Sequence, residues 1–316
     1  MLIGAALLAY AVCVGMLGPR LTRQATWPER APMLAIAGYL AAAFSVIAAM
    51  ALAGLTLAVH GTALGDGLSA LIGACVRRLR DTYATPGGTA AAVAGLVLAG
   101  TVLARTSVTS ASRLRAARRD ALRHAQMARL VGREMPDLDA TVVEHPSPAA
   151  YCLGGRQPTV VLTTGALRVL DPAQLIAVLA HERAHLASRH HLLMTMARAG
   201  RLVLPFVPML READAQVARL AELHADDAAV RTCDSGSVVA AALVTLATGG
   251  SHEPAMSAAA SDVAGRVTRL LRPAKPLRRA HRLMLRGGVA ALALSPVLLA
   301  LVPALVALAL GPIPRA

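Results

Sequence analysis

Residues 181–185 read His-Glu-Arg-Ala-His, and this pentapeptide is where chemistry is densest in the chain. Side chains four positions apart on a helix stand one above the other on the same face, so the imidazoles of His181 and His185 can reach a single metal ion. Glu182 then lies beside that ion, placed to take a proton from water. A zinc ion so held lowers the pKa of a water to about 7 and polarises a carbonyl. Glu182 would act first as general base on that water and then as general acid toward the leaving amine. The chemistry implied is hydrolysis of a peptide bond.

A catalytic zinc needs a third protein ligand and one open position. Two residues compete for the place. His191 stands six positions after His185, where a metzincin carries its third histidine, but that arrangement breaks the helix at a glycine and the residue here is Ser188. The other candidate is Glu222, on a second helical stretch of roughly Glu212–Thr232. Glu222 and Asp226 are four apart and share a face, whereas His224 points elsewhere. Glu222 is favoured as the ligand, with Asp226 accepting the spare N–H of a zinc histidine, the usual outer partner of such a ring. No residue stands out for stabilising the oxyanion, although His224 and Arg219 are candidates.

These residues need rigid elements. Asp171 is an N-cap residue, Pro172 suits the first helical position and Gln174 completes a capping box. A helix is therefore expected from there through His185. Before it come a basic helix, roughly Ser112–Val131, and three strands, Ala140–Glu144, Ala150–Leu153 and Thr159–Thr163, rich in β-branched residues and punctuated by Pro and Gly. The last of these could offer an edge to which an extended substrate adds as a further strand. After HExxH, Leu192–Leu210 reads as core packing or as a segment dipping into a bilayer. Ser235–Thr248 reads as a core helix, and the Ser- and Ala-rich His252–Gly265 as a flexible linker.

Composition says where this unit sits. Of 316 residues 56% are hydrophobic and 2% aromatic, the formal charge is +14 and the mean hydropathy is +0.55. This excludes an ordinary soluble globule and a disordered chain. A bilayer span takes about 20 apolar residues, and Lys and Arg are absent from four apolar stretches, Met1–Gly18, Ala31–Val59, Thr89–Ala104 and Gly287–Pro314. The first lacks the basic start of a secretory signal. The fold class expected is an α-helical membrane protein of about four transmembrane helices with an inserted α+β peptidase domain. Its parts are three spans in 1–104, the peptidase domain in 105–286 and a last span in 287–316. With 105–286 in the cytoplasm, 15 basic residues flank the spans on the inside against four outside, as the positive-inside rule requires. A multi-pass protein of the inner or plasma membrane follows. His60–Gly88 reads as an amphipathic helix lying on the membrane surface. The basic flanks suit anionic headgroups; without aromatic residues to stack bases, they give no reason to expect nucleic acid. Cys13, Cys75, Cys152 and Cys233 show no paired spacing and read as small buried residues.

Together, TVVLTTGALRVLDPAQLIAVLAHERAHLASRH at Thr159–His190 and RLAELHAD at Arg219–Asp226 resemble the membrane-embedded zinc metallopeptidases. Those families are the HtpX-type and CAAX-prenyl-type proteases and the BlaR/MecR antirepressor peptidases, the last being nearest in layout. The resemblance implies a thermolysin-like gluzincin domain and one Zn2+ per chain. It also implies endopeptidase action on a cytosolic or membrane-proximal protein, of which a transcriptional repressor is one example. His190 matches a histidine often found five residues past HExxH in these families. BlaR/MecR proteins carry a penicillin-binding sensor after their last span that has no counterpart here, so β-lactam sensing is not implied. The competing readings are a non-catalytic membrane adaptor and a degenerate peptidase with a structural zinc, for which Glu182 would have no use.

Overall fold

The computed structural model describes residues 2–58, 88–155, 158–249, 256–272 and 274–310. Among these, four helices are long and apolar enough to cross a membrane, by length and composition. They are α1 (Leu2–Arg23), α2 (Pro32–Ala58), α3 (Gly88–Val131) and α10 (Arg279–Leu310). The surface helix expected over His60–Gly88 falls almost wholly outside the described residues, as does Cys75. The third apolar stretch and the basic helix expected after it are one continuous helix of 44 residues. At about 1.5 Å per residue it is roughly twice as long as a bilayer core is thick. Nothing between Ala104 and Ser112 carries a helix breaker, so the chain has no reason to stop.

Gly54 of α2 and Gly95 of α3 let these helices touch backbone to backbone. A Cβ on Gly54 would lie 2.6 Å from the Gly95 carbonyl oxygen, and one on Gly95 2.5 Å from that of Gly54. Small residues serve apolar helix pairs in this way because close approach maximises dispersion contact. Helix α10 rests on α2, and the Tyr10 and Ser295 hydroxyls, 2.6 Å apart, tie it to α1.

Next comes a four-stranded sheet of β1 (Gly132–Met135), β2 (Ala140–Val143), β3 (Ala150–Leu153) and β4 (Thr159–Thr163), in spatial order β1-β2-β4-β3. β2 and β4 run parallel, while the outer strands pair antiparallel. β1 was not foreseen. Gly-Arg-Glu-Met has no apolar alternation, and its charges suit the exposed edge that it forms. β4 lies inside the sheet, with Val161 and Leu162 fully buried, so it offers no edge; the edge beside the HExxH helix is β3.

Six further helices follow: α4 (Thr164–Val169), α5 (Pro172–Ala187), α6 (His190–Val203), α7 (Pro208–Cys233), α8 (Gly236–Gly249) and α9 (Met256–Leu271). Helix α9 corrects the linker expected over His252–Gly265, since residues from Met256 onward are helical. Helix α7 joins two cores. Its first half, with Leu210, Val217 and Leu220 fully buried, packs with α1, α2 and α6. Its last turns, with Ala229 and Val230, pack with α5, α8 and the sheet. Within Leu192–Leu210, Val207 meets Gly15 of α1, Met209 meets Gly18, and Gly200 faces Ala43 of α2. These contacts pack the segment against the apolar helices α1 and α2.

Candidate metal centre

Helix α5 begins where the sequence places it. The Asp171 carboxylate accepts from the Gln174 backbone N–H at 2.8 Å, and the Gln174 side chain accepts from the Asp171 N–H at 3.3 Å. This reciprocal cap fixes the helix phase, and with it the side on which His181 and His185 project.

The two rings meet with their Nε2 atoms 3.2 Å apart. Glu222 of α7 closes the triangle: one oxygen lies 3.5 Å from His181 Nε2, the other 3.5 Å from His185 Nε2. In a tetrahedron of zinc–nitrogen and zinc–oxygen bonds of about 2.0–2.1 Å, neighbouring ligand atoms stand about 3.4 Å apart. Two imidazoles and a carboxylate at that spacing fit a zinc ion, with a fourth position left open. They form the one group of three or more His, Cys, Asp or Glu side chains with metal-ligand geometry among the described residues.

His191, the competing ligand, stands apart from this group. Its ring lies against Gly154, where a Cβ would meet the His191 Cε1 atom at 2.8 Å. The helix does break after HExxH, but through Arg189 in the left-handed region (φ 50°) rather than through a glycine. That turn delivers His190, not His191, beneath the site.

Each metal-facing histidine has a fixed outer partner. His181 donates from Nδ1 to Asp226 at 3.0 Å, so Nε2 is the nitrogen it would offer to a metal. For His185, the Nδ1 atom is 2.9 Å from Nδ1 of His190, whose Nε2 is 3.2 Å from His224 Nδ1. With Nε2 of His185 reserved for a metal, only one proton order satisfies the chain. His185 donates to His190, and His190 donates to His224. Burial holds the rings neutral, as this order requires, lowering His185 to about 4 and His190 to about 3. His190 is fully buried, so its two ring nitrogens have no other partners to draw on. Replacing it by Asn, whose amide both accepts and donates, is expected to keep most zinc affinity. His190→Leu should weaken zinc binding by about 10–100-fold, measured by competition with a chromogenic chelator.

Sequence reasoning missed Arg266. From α9 its Nε and Nη2 atoms donate to the two oxygens of Asp226 at 2.8 and 2.7 Å, and Nη1 reaches Glu222 at 3.0 Å. A fork of this shape matches a carboxylate, which is why arginine serves here. The signal was present: Val263, Arg266, Val267 and Leu270 lie on one face of a helix, an arginine in an apolar stripe. Asp226 is 1% exposed. Burial alone would raise its pKa, yet the hydrogen bonds from Arg266 and His181 bring it down to about 2. Arg266→Ala should therefore destabilise the fold by about 3–5 kcal/mol, the cost of an uncompensated buried charge, seen in the denaturation midpoint.

Glu182 borders the cleft beside His181 and Glu222. Burial raises its pKa, with the charge of His181 opposing. The Cys152 thiol of β3 donates to it, and burial followed by the charge of Glu182 pushes that thiol up to about 12. The expected burial of the cysteines needs correction: Cys13 is exposed on α1, while Cys152 and Cys233 are half-buried. Arg219 and His224, the oxyanion candidates, are engaged elsewhere, Arg219 with Glu29 and His224 with His190.

The chain is similar to the plastoglobule-localized metallopeptidase 48, chloroplastic, of Arabidopsis thaliana, at 34% identity over 134 residues, or 39% of this chain. It spans 38% of that relative's length. No solved structure matches the chain. The profile of peptidase family M48 matches residues 114–284, more than half the sequence and every residue of the centre described above. The chain belongs to peptidase family M48, a family of metallopeptidases.

Proposed function

We propose that the protein is an integral-membrane zinc endopeptidase. The observation that carries this reading is the 3.2–3.5 Å triangle of His181, His185 and Glu222, with a half-buried carboxylate, Glu182, at its side. When bound there, zinc supplies a Lewis acid that makes water nucleophilic near neutral pH and polarises a carbonyl. The remaining work belongs to side chains. Glu182 takes the proton of the attacking water and returns it to the leaving amine. Asp226 and His190 hold the two imidazoles in the tautomer that presents Nε2, and Arg266 holds both carboxylates in place. β3, whose outer edge is unpaired among the described strands, is where an extended substrate would add by backbone hydrogen bonds.

We read α1, α2, α3 and α10 as spans and residues 105–286 as the peptidase unit on the cytoplasmic side. This follows the 15-to-four asymmetry of basic residues. The packing of α6 and α7 against α1 and α2 supports a site close to the bilayer, with anionic headgroups near the basic flanks. The substrate would then be a cytosolic or membrane-proximal protein. A transcriptional repressor, as in the antirepressor type that the layout resembles, is one such substrate. The test is hydrolysis of an unfolded protein by the full chain in detergent. Cleavage should stop on chelation with 1,10-phenanthroline and return with added zinc; cleavage indifferent to chelation would overturn the reading.

A further inference from the structure

Arg269 stands three residues beyond Arg266 on α9 and touches neither the metal position nor its carboxylates. Its guanidinium forks onto Asp227 of α7, with Nη1 2.7 Å from one carboxylate oxygen and Nη2 donating to the other at 3.0 Å. Nη2 also donates at 2.8 Å to the backbone carbonyl of Glu29, in the loop between α1 and α2. We propose that Arg269 is a positioning residue of the metal centre. It sets α9 against α7 and against that loop, so that Arg266 meets Asp226 and Glu222. The proposal rests on the zinc reading above.

Three observations carry it. The first is the pairing of the two arginines. Residues three apart on a helix are neighbours on one face, and their partners Asp226 and Asp227 are adjacent on α7. A slide of α9 that breaks one fork therefore displaces the other. The second is the space around them. A cavity of about 410 Å³ lies on this side of α9, bordered by both arginines and by Glu29, Arg219, Leu223 and Asp262. Close packing does not fix this face of the helix, whereas Val267 and Leu270 join the core of α5, α8 and the sheet. Two parallel N–H···O bonds supply the direction and distance that packing leaves open here.

The third is that the acceptor on the loop is itself held. The Arg30 and Ala31 backbone N–H groups both donate to the Trp27 carbonyl, at 3.0 and 3.2 Å. Pro28 is buried, and Trp27 packs on the core that α1, α2 and α7 share. Arg269 thus ties α9 to a point fixed by the apolar helices. The nearby Arg219–Glu29 pair is a weaker tie, with side chains 40% and 49% exposed, a setting in which ion pairs contribute little. The Arg269 side chain is 17% exposed. What depends on it is the 3.0 Å contact of Arg266 Nη1 with Glu222, since a ligand shell works only when held to within about 0.5 Å.

The test measures zinc affinity by chelator competition, and the denaturation midpoint, on the full chain in detergent. Arg269→Met keeps the stem and loses the fork, so the zinc dissociation constant should rise about tenfold, the low end of the range for a lost supporting bond. Arg269→Lys keeps the charge as a single point that cannot serve three acceptors, so most of that loss should remain. Should the methionine variant not fold, the lysine variant decides. Zinc affinity equal to wild type in the folded variants, even with a lowered midpoint, would reduce Arg269 to an ordinary stabilising pair and overturn the proposal. A double-mutant cycle tests the route. Arg266→Lys with Arg269→Met should bind zinc no more weakly than Arg266→Lys alone, because Arg269 acts through Arg266. Losses that simply add would show independent action and contradict it. Wild-type protein that binds no zinc would instead sink the reading on which the proposal rests.

Discussion

Glu182→Gln is expected to lower peptide hydrolysis by about 10²–10⁴-fold, the usual contribution of a positioned general base, while zinc content and melting temperature stay close to wild type. The glutamine keeps the shape of the side chain and the hydrogen bond from Cys152, but it cannot take a proton. The same residue should shape the pH profile. A general base works only when deprotonated, and burial raises the pKa of Glu182. The acid limb of kcat/KM should therefore lie above the ordinary glutamate value of about 4.3. In Cys152→Ser the limb should persist, because burial is what raises the pKa and the hydrogen bond from Cys152 opposes it.

The second large effect belongs to Glu222. Glu222→Ala removes one of three donors and leaves Arg266 Nη1 without the oxygen it meets at 3.0 Å. Zinc affinity should fall by more than the roughly 10–100-fold typical of losing an outer partner, and activity at trace zinc should vanish with it. His191→Ala is the control. That ring packs on Gly154, so zinc content should not change; if His191→Ala strips the metal and Glu222→Ala does not, the ligand set is wrong. Affinity should also depend on pH. Burial opposes protonation of His181, but Asp226 and Glu222 outweigh it and raise its pKa to about 9 in the metal-free protein. Below that pH the ring is protonated, so zinc must displace a proton, and its dissociation constant should rise about tenfold for each unit of acidification between pH 9 and 7.

Much of the centre is local and was legible in the sequence. The Asp171 cap, the four-residue spacing of His181 and His185, and the same spacing of Glu222 and Asp226 are each set within one helix. What stayed hidden depends on pairings distant in sequence. Nothing local says that β4 enters the sheet between β2 and β3, which moves the free edge from Thr159–Thr163 to Ala150–Leu153. The Ser- and Ala-rich stretch before Arg266 looks like a linker until α9 is seen to deliver that arginine to two carboxylates. His190 and His224 lie 34 positions apart and meet only through the left-handed turn at Arg189. The role of α7 as a bridge between two cores was equally invisible, because its apolar positions look alike whether they face α2 or α8.

The strongest single test measures zinc by mass spectrometry and hydrolysis of an unfolded protein on the same purified full-length samples of wild type and Glu182→Gln. One zinc per chain in both proteins, with hydrolysis in wild type alone, is the expected result. Equal hydrolysis by both, or hydrolysis by a protein that holds no metal, would contradict the account.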